Sequence, residues 1–344
     1  MLDFSIGVDL GGTNLRIAAI SAEGRMLEKI TVDSNASAGR DHVIDAMCAA
    51  IRNLSQKYKA GGSFLGAGIG VPGLVDLESG IMRKAANLPG WENYPARDEI
   101  ERRLGMSVVL ENDARVAALG EYWLGAGRGF STMAVLTLGT GIGGGVVIDG
   151  KIWHGMSGMA SEFGHITLEP EGRPCACGNR GCSEQYASAS AIMRMAREAI
   201  NGGLAPSLAK AAASPQFGAK SIYDLAMAGD EQARQIFATF GRYLGILIAN
   251  LVNVLNLEIY VIGGGVSSAW SAFTPIMFAE MRRRSLVYAA TAPENPESFD
   301  RPGSGTKAAT FANHLRETIV RPALLGSDAG LFGAARLVQA AAGR

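Results

Sequence analysis

The sequence predicts an α/β protein of two related lobes, with a duplicated core and a central cleft. Two observations carry this expectation. A pair of apolar runs joined by a glycine turn occurs twice, about 128 residues apart, and the intervals show apolar residues at helical spacing. Composition agrees with a packed chain rich in turns. Of 344 residues 45 are glycine, about 13% against a usual value near 7%. Collagen would need glycine at every third position and abundant proline, yet only 12 prolines are present, without that period. A disordered linker would not be 48% hydrophobic and 19% charged.

Taken in order, Phe4 to Ile20 predicts a strand, the turn Gly11-Gly12-Thr13-Asn14 and a returning strand. Asp41 to Tyr58 sets Val43, Ile44, Met47, Ile51 and Leu54 on one helical face, with Cys48 on its apolar side as a small buried hydrophobe. Ala67 to Gly73 reads as a core strand ending in glycine. The apolar run Val108 to Leu110 leads through Glu111-Asn112-Asp113 into a helix over Ala114 to Leu124. Met133 to Asp149 repeats the opening hairpin, with its turn at Gly139 to Gly143. Ser190 to Ile200 and Glu231 to Leu255 are helical, Glu258 to Gly265 is another strand ending in glycine, and Ser327 to Ala342 is a last helix returning to the first lobe. The expected lobes are 1–119 with 327–344, and 120–326. Thr291 to Lys307, with three prolines and two glycines, predicts a surface loop.

Charge and hydropathy narrow the partners. Lys plus Arg and Asp plus Glu both total 32, so no global field recruits nucleic acid or an anionic membrane. The longest apolar passage, Leu244 to Val266, contains Asn250, Asn253, Asn256 and Glu258, and reads as a buried helix leading into a strand, not a membrane span. Met1 to Asp9 lacks the basic region and apolar stretch of a signal peptide, so a cytoplasmic protein is expected.

Glycine turns at strand ends let backbone N–H groups face an anion. Gly139, Gly141 and Gly144 satisfy the dinucleotide spacing, but the apolar run that follows is a strand where that motif needs a helix. Gly145, Gly150 and Lys151 approach a Walker A pattern, with Ile152 where Ser or Thr must hold magnesium. Phosphate binding by hairpin turns remains. Asp9 beside Gly11-Gly12-Thr13 suits Mg²⁺ held through water; it equally suits a carboxylate accepting from its own turn.

Cys175, Cys177 and Cys182 lie within eight residues, and His165 stands ten residues earlier. One imidazole and three thiolates supply the four ligands of a closed, structural Zn²⁺ site, which does not activate water. Glu162 and Glu184 flank the same segment. Asn112 and Asp113 sit where a strand meets a helix. They suit helix capping, and Asp113 also suits taking a proton from a hydroxyl that attacks a γ-phosphate. Asn87, in Asn87-Leu88-Pro89-Gly90-Trp91, is either a turn residue or a polar ligand contact. Neutral and acidic hydrogen-bonding groups without a basic cluster fit a sugar.

With DLGGT at Asp9 to Thr13, GVPG at Gly70 to Gly73, NLPGW at Asn87 to Trp91, ENDA at Glu111 to Ala114, LGTGIGGG at Leu138 to Gly145, EFGH at Glu162 to His165, CACGNRGCSE at Cys175 to Glu184, VIGGGV at Val261 to Val266 and AGLFGAA at Ala329 to Ala335, the chain resembles the ROK family of sugar kinases. The resemblance is greatest to its bacterial glucokinases. It implies the actin-like ATPase (ribonuclease H-like) fold and transfer of phosphate from ATP, with Mg²⁺, to the 6-hydroxyl of a hexose. Asp113 then matches the general base, and Asn87, Asn112, Glu162, His165 and Glu184 match sugar contacts. His165, Cys175, Cys177 and Cys182 match zinc ligands. Asp9, Gly11, Gly12, Thr13, Asn14, Thr140 and Gly141 match the phosphate grips, and Gly264 and Gly265 the adenosine side. A homodimer is typical of the family. Glucose is the expected substrate, with N-acetylglucosamine, N-acetylmannosamine, mannose and fructose as alternatives. The family's sugar-sensing repressors carry a DNA-binding segment before the first hairpin, which here begins at about residue 4, so an enzyme is expected.

Overall fold

The structure, a computed structural model, describes residues 2–85, 88–296 and 317–343. It opens with β1 (Leu2–Leu10), β2 (Asn14–Ser21), β3 (Met26–Asp33), α1 (Arg40–Lys59) and β4 (Gly62–Val71). The small ribbon β5 (Leu74–Asp76) and β6 (Ile81–Lys84) precedes α2 (Ala96–Leu104), β7 (Val108–Asn112) and α3 (Asp113–Leu124). Next come β8 (Thr132–Leu138), β9 (Ile142–Ile148) and β10 (Lys151–Ile152). The helices α4 (Ala189–Asn201), α5 (Pro206–Ala212), α6 (Ala219–Met227) and α7 (Glu231–Leu255) follow, then β11 (Ile259–Gly263), α8 (Trp270–Arg284) and α9 (Leu286–Thr291). The chain closes with β12 (Ile319–Pro322) and α10 (Ala329–Ala341). Most of the proline-rich stretch at 291–307 lies outside the described residues; Thr291 itself ends α9.

Two compact units result: Met1–Val135 with Gly145–Ser161 and Leu324–Arg344, and Leu136–Gly144 with Glu162–Ala323. A boundary after Leu119 would cut α3, whose hydrogen-bonded turns continue to Leu124. The chain forms two five-stranded sheets, the first of them wholly within the first unit. The first has the order β3-β2-β1-β4-β7, antiparallel across β3-β2-β1 and parallel across β1-β4-β7. The second has the order β10-β9-β8-β11-β12, through which β8 and β9 pass from one unit into the other; β10 is antiparallel to β9 and β11 parallel to β12. Three residues join β8 to β9, a connection that permits only an antiparallel pair. The two sheets thus repeat one plan: a hairpin followed by parallel strands.

Several glycines serve packing and not turns. A Cβ at Gly7 of β1 would stand 2.0 Å from Leu331 O, and one at Gly68 of β4 1.9 Å from Ala334 O, so α10 lies with its backbone directly on the first sheet. Where α10 crosses α3, a Cβ at Gly333 would stand 1.6 Å from Val116 O. The entry to α10 is pinned by the buried Glu121, whose carboxylate accepts the N–H groups of Leu324 and Leu325 at 3.1 and 2.7 Å. In the second unit, α7 is capped by Asp230 and ends at Asn256 in the left-handed conformation, φ 44°. Twelve of its 25 residues are buried, and a Cβ at Gly241 would stand 2.5 Å from Phe273 O of α8. Its apolar face is consumed by packing on α8, as a core helix requires. Cys48 is buried in α1 among Val43, Ile44 and Met47.

Candidate functional site

In the first unit, β7 feeds directly into α3. Asn112 takes the cap position, its Oδ1 accepting from Ala114 N and Arg115 N at 3.0 and 3.1 Å. Asp113 is the first helical residue. Its Oδ1 accepts from Ala114 N at 2.8 Å and from Asn112 Nδ2 at 3.0 Å, while the same Nδ2 donates to Gly73 O at 3.1 Å. Capping falls to Asn112, and the Asp113 carboxylate is held in one orientation at the positive end of a helix.

Three residues that the sequence reading passed over lie beside this pair: Glu111, Arg115 and His154. Glu111 accepts from Asn112 N, Arg115 Nη1 and His154 Nε2. A visible signal was the Glu–Arg spacing of four residues inside an apolar strand–helix junction. His154 gives none, because it lies 43 residues from Glu111.

Asp9 sits near the end of β1, where the turn closes with Gly11 N donating to Asn14 O at 2.8 Å. Gly12, Thr13 and Asn14 are exposed, which leaves the turn accessible to a ligand. Burial pushes the Asp9 carboxyl above the ordinary carboxylate range, opposed by Arg16, whose Nη1 stands 3.1 Å from Asp9 Oδ2, and reinforced by Asp328. A cation beside this partly buried carboxylate would favour its ionised form.

In the second unit, two short 3₁₀ helices, Phe163–His165 and Ser183–Gln185, carry His165 and Glu184. Ser183 ties them together, its Oγ donating to Phe163 O at 2.7 Å and its N–H to Ile166 O at 2.9 Å. Glu162 immediately precedes the first and is exposed. The ligand atoms of His165, Cys175, Cys177 and Cys182 all lie within 4.8 Å of one another. Cys177 Sγ and Cys182 Sγ are 3.6 Å apart, and Cys175 Sγ and His165 Nδ1 are 3.7 Å apart. Tetrahedral Zn²⁺ with Zn–S near 2.3 Å sets ligand separations of about 3.5–3.8 Å, so the donor set fits the ion in number, chemistry and spacing. Burial pushes the Cys175 thiol up to about 12; a central dication inverts that preference by stabilising the thiolate.

The turn after β8 adjoins this group: a Cβ at Gly141 would stand 2.6 Å from Glu184 Oε2. Gly139 N donates to Gly141 O at 3.0 Å, and Thr140 is exposed at the tip. Strand β9, not a helix, follows. Gly264, at φ +83°, brings the end of β11 onto this hairpin, since a Cβ there would stand 2.4 Å from Leu138 O. Gly265 begins the 3₁₀ turn Gly265–Ala269, and both glycines are exposed. The structure therefore gathers Glu162, His165, Glu184, Thr140, Gly141, Gly264 and Gly265 in one unit, and Asp9, Gly11 to Asn14, Asn112 and Asp113 in the other. Asn87 lies outside the described residues.

Comparison with known proteins identifies the family. The sequence profile of the ROK family matches residues 5–341. A glucokinase of Thermotoga maritima is 38% identical over 335 residues, covering 97% of this chain and 96% of that one. A glucokinase of Halalkalibacterium halodurans is 36% identical, covering 97% and 94%. The crystal structure of a ROK family glucokinase from Streptomyces griseus, in complex with glucose and AMPPNP, superposes with a TM-score of 0.74 at 34% identity, covering 97% of this chain and 98% of that one. The match spans both hairpins, the carboxylate at the β7–α3 junction and the cysteine segment, and the chain belongs to the ROK family.

Proposed function

We propose that the protein is an ATP-dependent glucokinase that transfers the γ-phosphoryl group of ATP·Mg²⁺ to the 6-hydroxyl of glucose. The observation that carries this reading is the Asn112–Asp113 junction: a carboxylate with one oxygen fixed by two donors, at a helix start, in a chain alignable end to end with glucokinases. Asp113 accepts the proton of the attacking hydroxyl. Asn112, Asn87, Glu162, His165 and Glu184 hold the sugar hydroxyls. The turns at Gly11 to Asn14 and Thr140-Gly141 bind phosphate through backbone N–H groups. Asp9 holds hydrated Mg²⁺ with the nucleotide, and Gly264 and Gly265 leave room for the adenosine.

His165 Nδ1 with Cys175, Cys177 and Cys182 holds one Zn²⁺, which supplies shape and no activated water. With Nδ1 so occupied, His165 Nε2 is the ring nitrogen that meets the sugar. A reducing cytoplasm suits these thiolate ligands and supplies ATP; a homodimer is the expected assembly.

An ADP-release assay with ATP·Mg²⁺ against hexoses and amino sugars tests the reading. Glucose is expected to give the highest kcat/KM. Preference for an N-acetylated sugar would replace the substrate, and no phosphorylation of any hexose would remove the kinase.

A further inference from the structure

Beside Asp113 lies an ionic cluster that phosphoryl transfer as described does not use. Glu111 and Arg115 face each other across the β7–α3 junction, with side chains 3% and 1% exposed. Glu111 Oε1 accepts from Arg115 Nη1 at 3.2 Å and from the backbone N–H of Asn112 at 2.8 Å. Its Oε2 accepts from His154 Nε2 at 2.6 Å. Arg115 Nε and Nη2 both donate to Ala160 O, at 3.1 and 3.0 Å, and Ala160 N donates to His154 O at 3.1 Å. The segment 154–160, which has no regular secondary structure, is thereby closed on itself and tied to the two residues that bracket Asn112 and Asp113.

Stability is a poor reason for such a cluster. Desolvating a carboxylate and a guanidinium costs several kcal/mol each, and apolar replacements of similar volume are often neutral or better. Position is the better reason. Glu111 holds the peptide N–H of Asn112; Asn112 Nδ2 in turn holds Asp113 Oδ1. The tilt of the Glu111 carboxylate is thus transmitted through two hydrogen bonds to the carboxylate that faces substrate. That tilt is set from its other side by His154, the half-exposed end of the cluster.

We propose that Glu111, Arg115 and His154 are positioning residues that aim Asp113, with segment 154–160 as their brace. The role rests on the kinase reading above. Glu111→Gln removes the carboxylate that stands 3.2 Å from the buried Arg115 guanidinium and is expected to fold poorly, so His154 is the member to vary. In His154→Ala, kcat is expected to fall about 10- to 100-fold with KM for ATP and zinc content unchanged. Amide exchange at 156–160 and at Ala114 and Arg115 is expected to quicken. His154→Gln, which keeps an N–H donor near the Nε2 position, and His154→Ala supplied with free imidazole are both expected to recover most of the loss.

A kcat for His154→Ala within about twofold of the parent, or a loss that neither glutamine nor imidazole recovers, overturns the proposal. Should the parent phosphorylate no hexose, the kinase reading fails separately and exchange decides the brace. Unchanged protection at 156–160 in His154→Ala would then overturn it.

Discussion

The two groups of candidate residues, one in each unit, are held by different physics. Asn112 and Asp113 stand where a buried strand becomes a helix, fixed by the parallel ladder with β4 and by capping hydrogen bonds. His165 and Glu184 stand on two single-turn helices, and between them residues 166–182 form no helix or strand beyond isolated bridges. The first arrangement is maintained by the core. The second has no regular helix or strand to hold it, and on the zinc reading proposed above a metal bound by His165, Cys175, Cys177 and Cys182 would do what packing does elsewhere. Precise geometry can therefore be reached either by burying a junction or by cross-linking a loop, and the two should fail under different treatments.

The sharpest separation is metal removal. A structural zinc is worth on the order of 10 kcal/mol in small metal-dependent folds, so chelation or Cys182→Ser should abolish exchange protection over 163–185 while β7 and α3 keep theirs. Metal analysis should find one zinc per chain; a folded, active sample without zinc would remove the cross-link from this comparison. Next is Asp113→Asn, which should lower kcat by about 10²–10⁴-fold with glucose binding retained by calorimetry. Turnover near the parental level would dismiss Asp113 as the base.

Packing of the first unit is the third handle. Gly333→Ala drives a methyl into Val116 O and should cost about 1–3 kcal/mol or more in chemical denaturation, with zinc content unchanged. Asp9 gives a weaker, pH-dependent effect. Its carboxyl is held above its ordinary value by burial, so the protonated form favours folding at low pH, and that contribution is lost as pH rises through the folded pKa. Asp9→Asn should thus raise the melting temperature at pH 8 but not at pH 3, while weakening use of ATP·Mg²⁺. The smallest effect belongs to Glu99, which Arg102 and Arg103 hold down at about 2 from an ordinary 4.5. Its contribution is present above pH 4.5 and lost as pH falls towards 2, and Glu99→Gln should flatten melting curves in that window only.

Legibility in the sequence followed the range of the forces involved. The hairpins β1–β2 and β8–β9 were readable because an apolar run, a turn and another apolar run are local patterns. The junction at Asn112 was readable for the same reason. Convergence of Cys175, Cys177 and Cys182 was readable from their spacing, since so few residues cannot carry the thiols far apart. Gly7, Gly68, Gly120 and Gly333 were not readable as packing residues. In composition they resemble turn glycines, yet their role is set by a helix or strand elsewhere in the chain whose carbonyls come within 2.2 Å of the missing Cβ. Helical spacing gives no sign of which unit a helix packs into, and α3 runs past Leu119 to Leu124 within the first unit.

The chain by itself determined its elements, its turns and its candidate ligands, because each depends on residues a few positions apart. Only the tertiary structure decided that His154 meets Glu111 across 43 residues, that Arg115 holds Ala160 across 45, and that α10 lies against β1 and β4. Those contacts come from burial and hydrogen-bond satisfaction among segments that share no sequence pattern. In such a setting a lone histidine acquires a role only when folding gives it a partner.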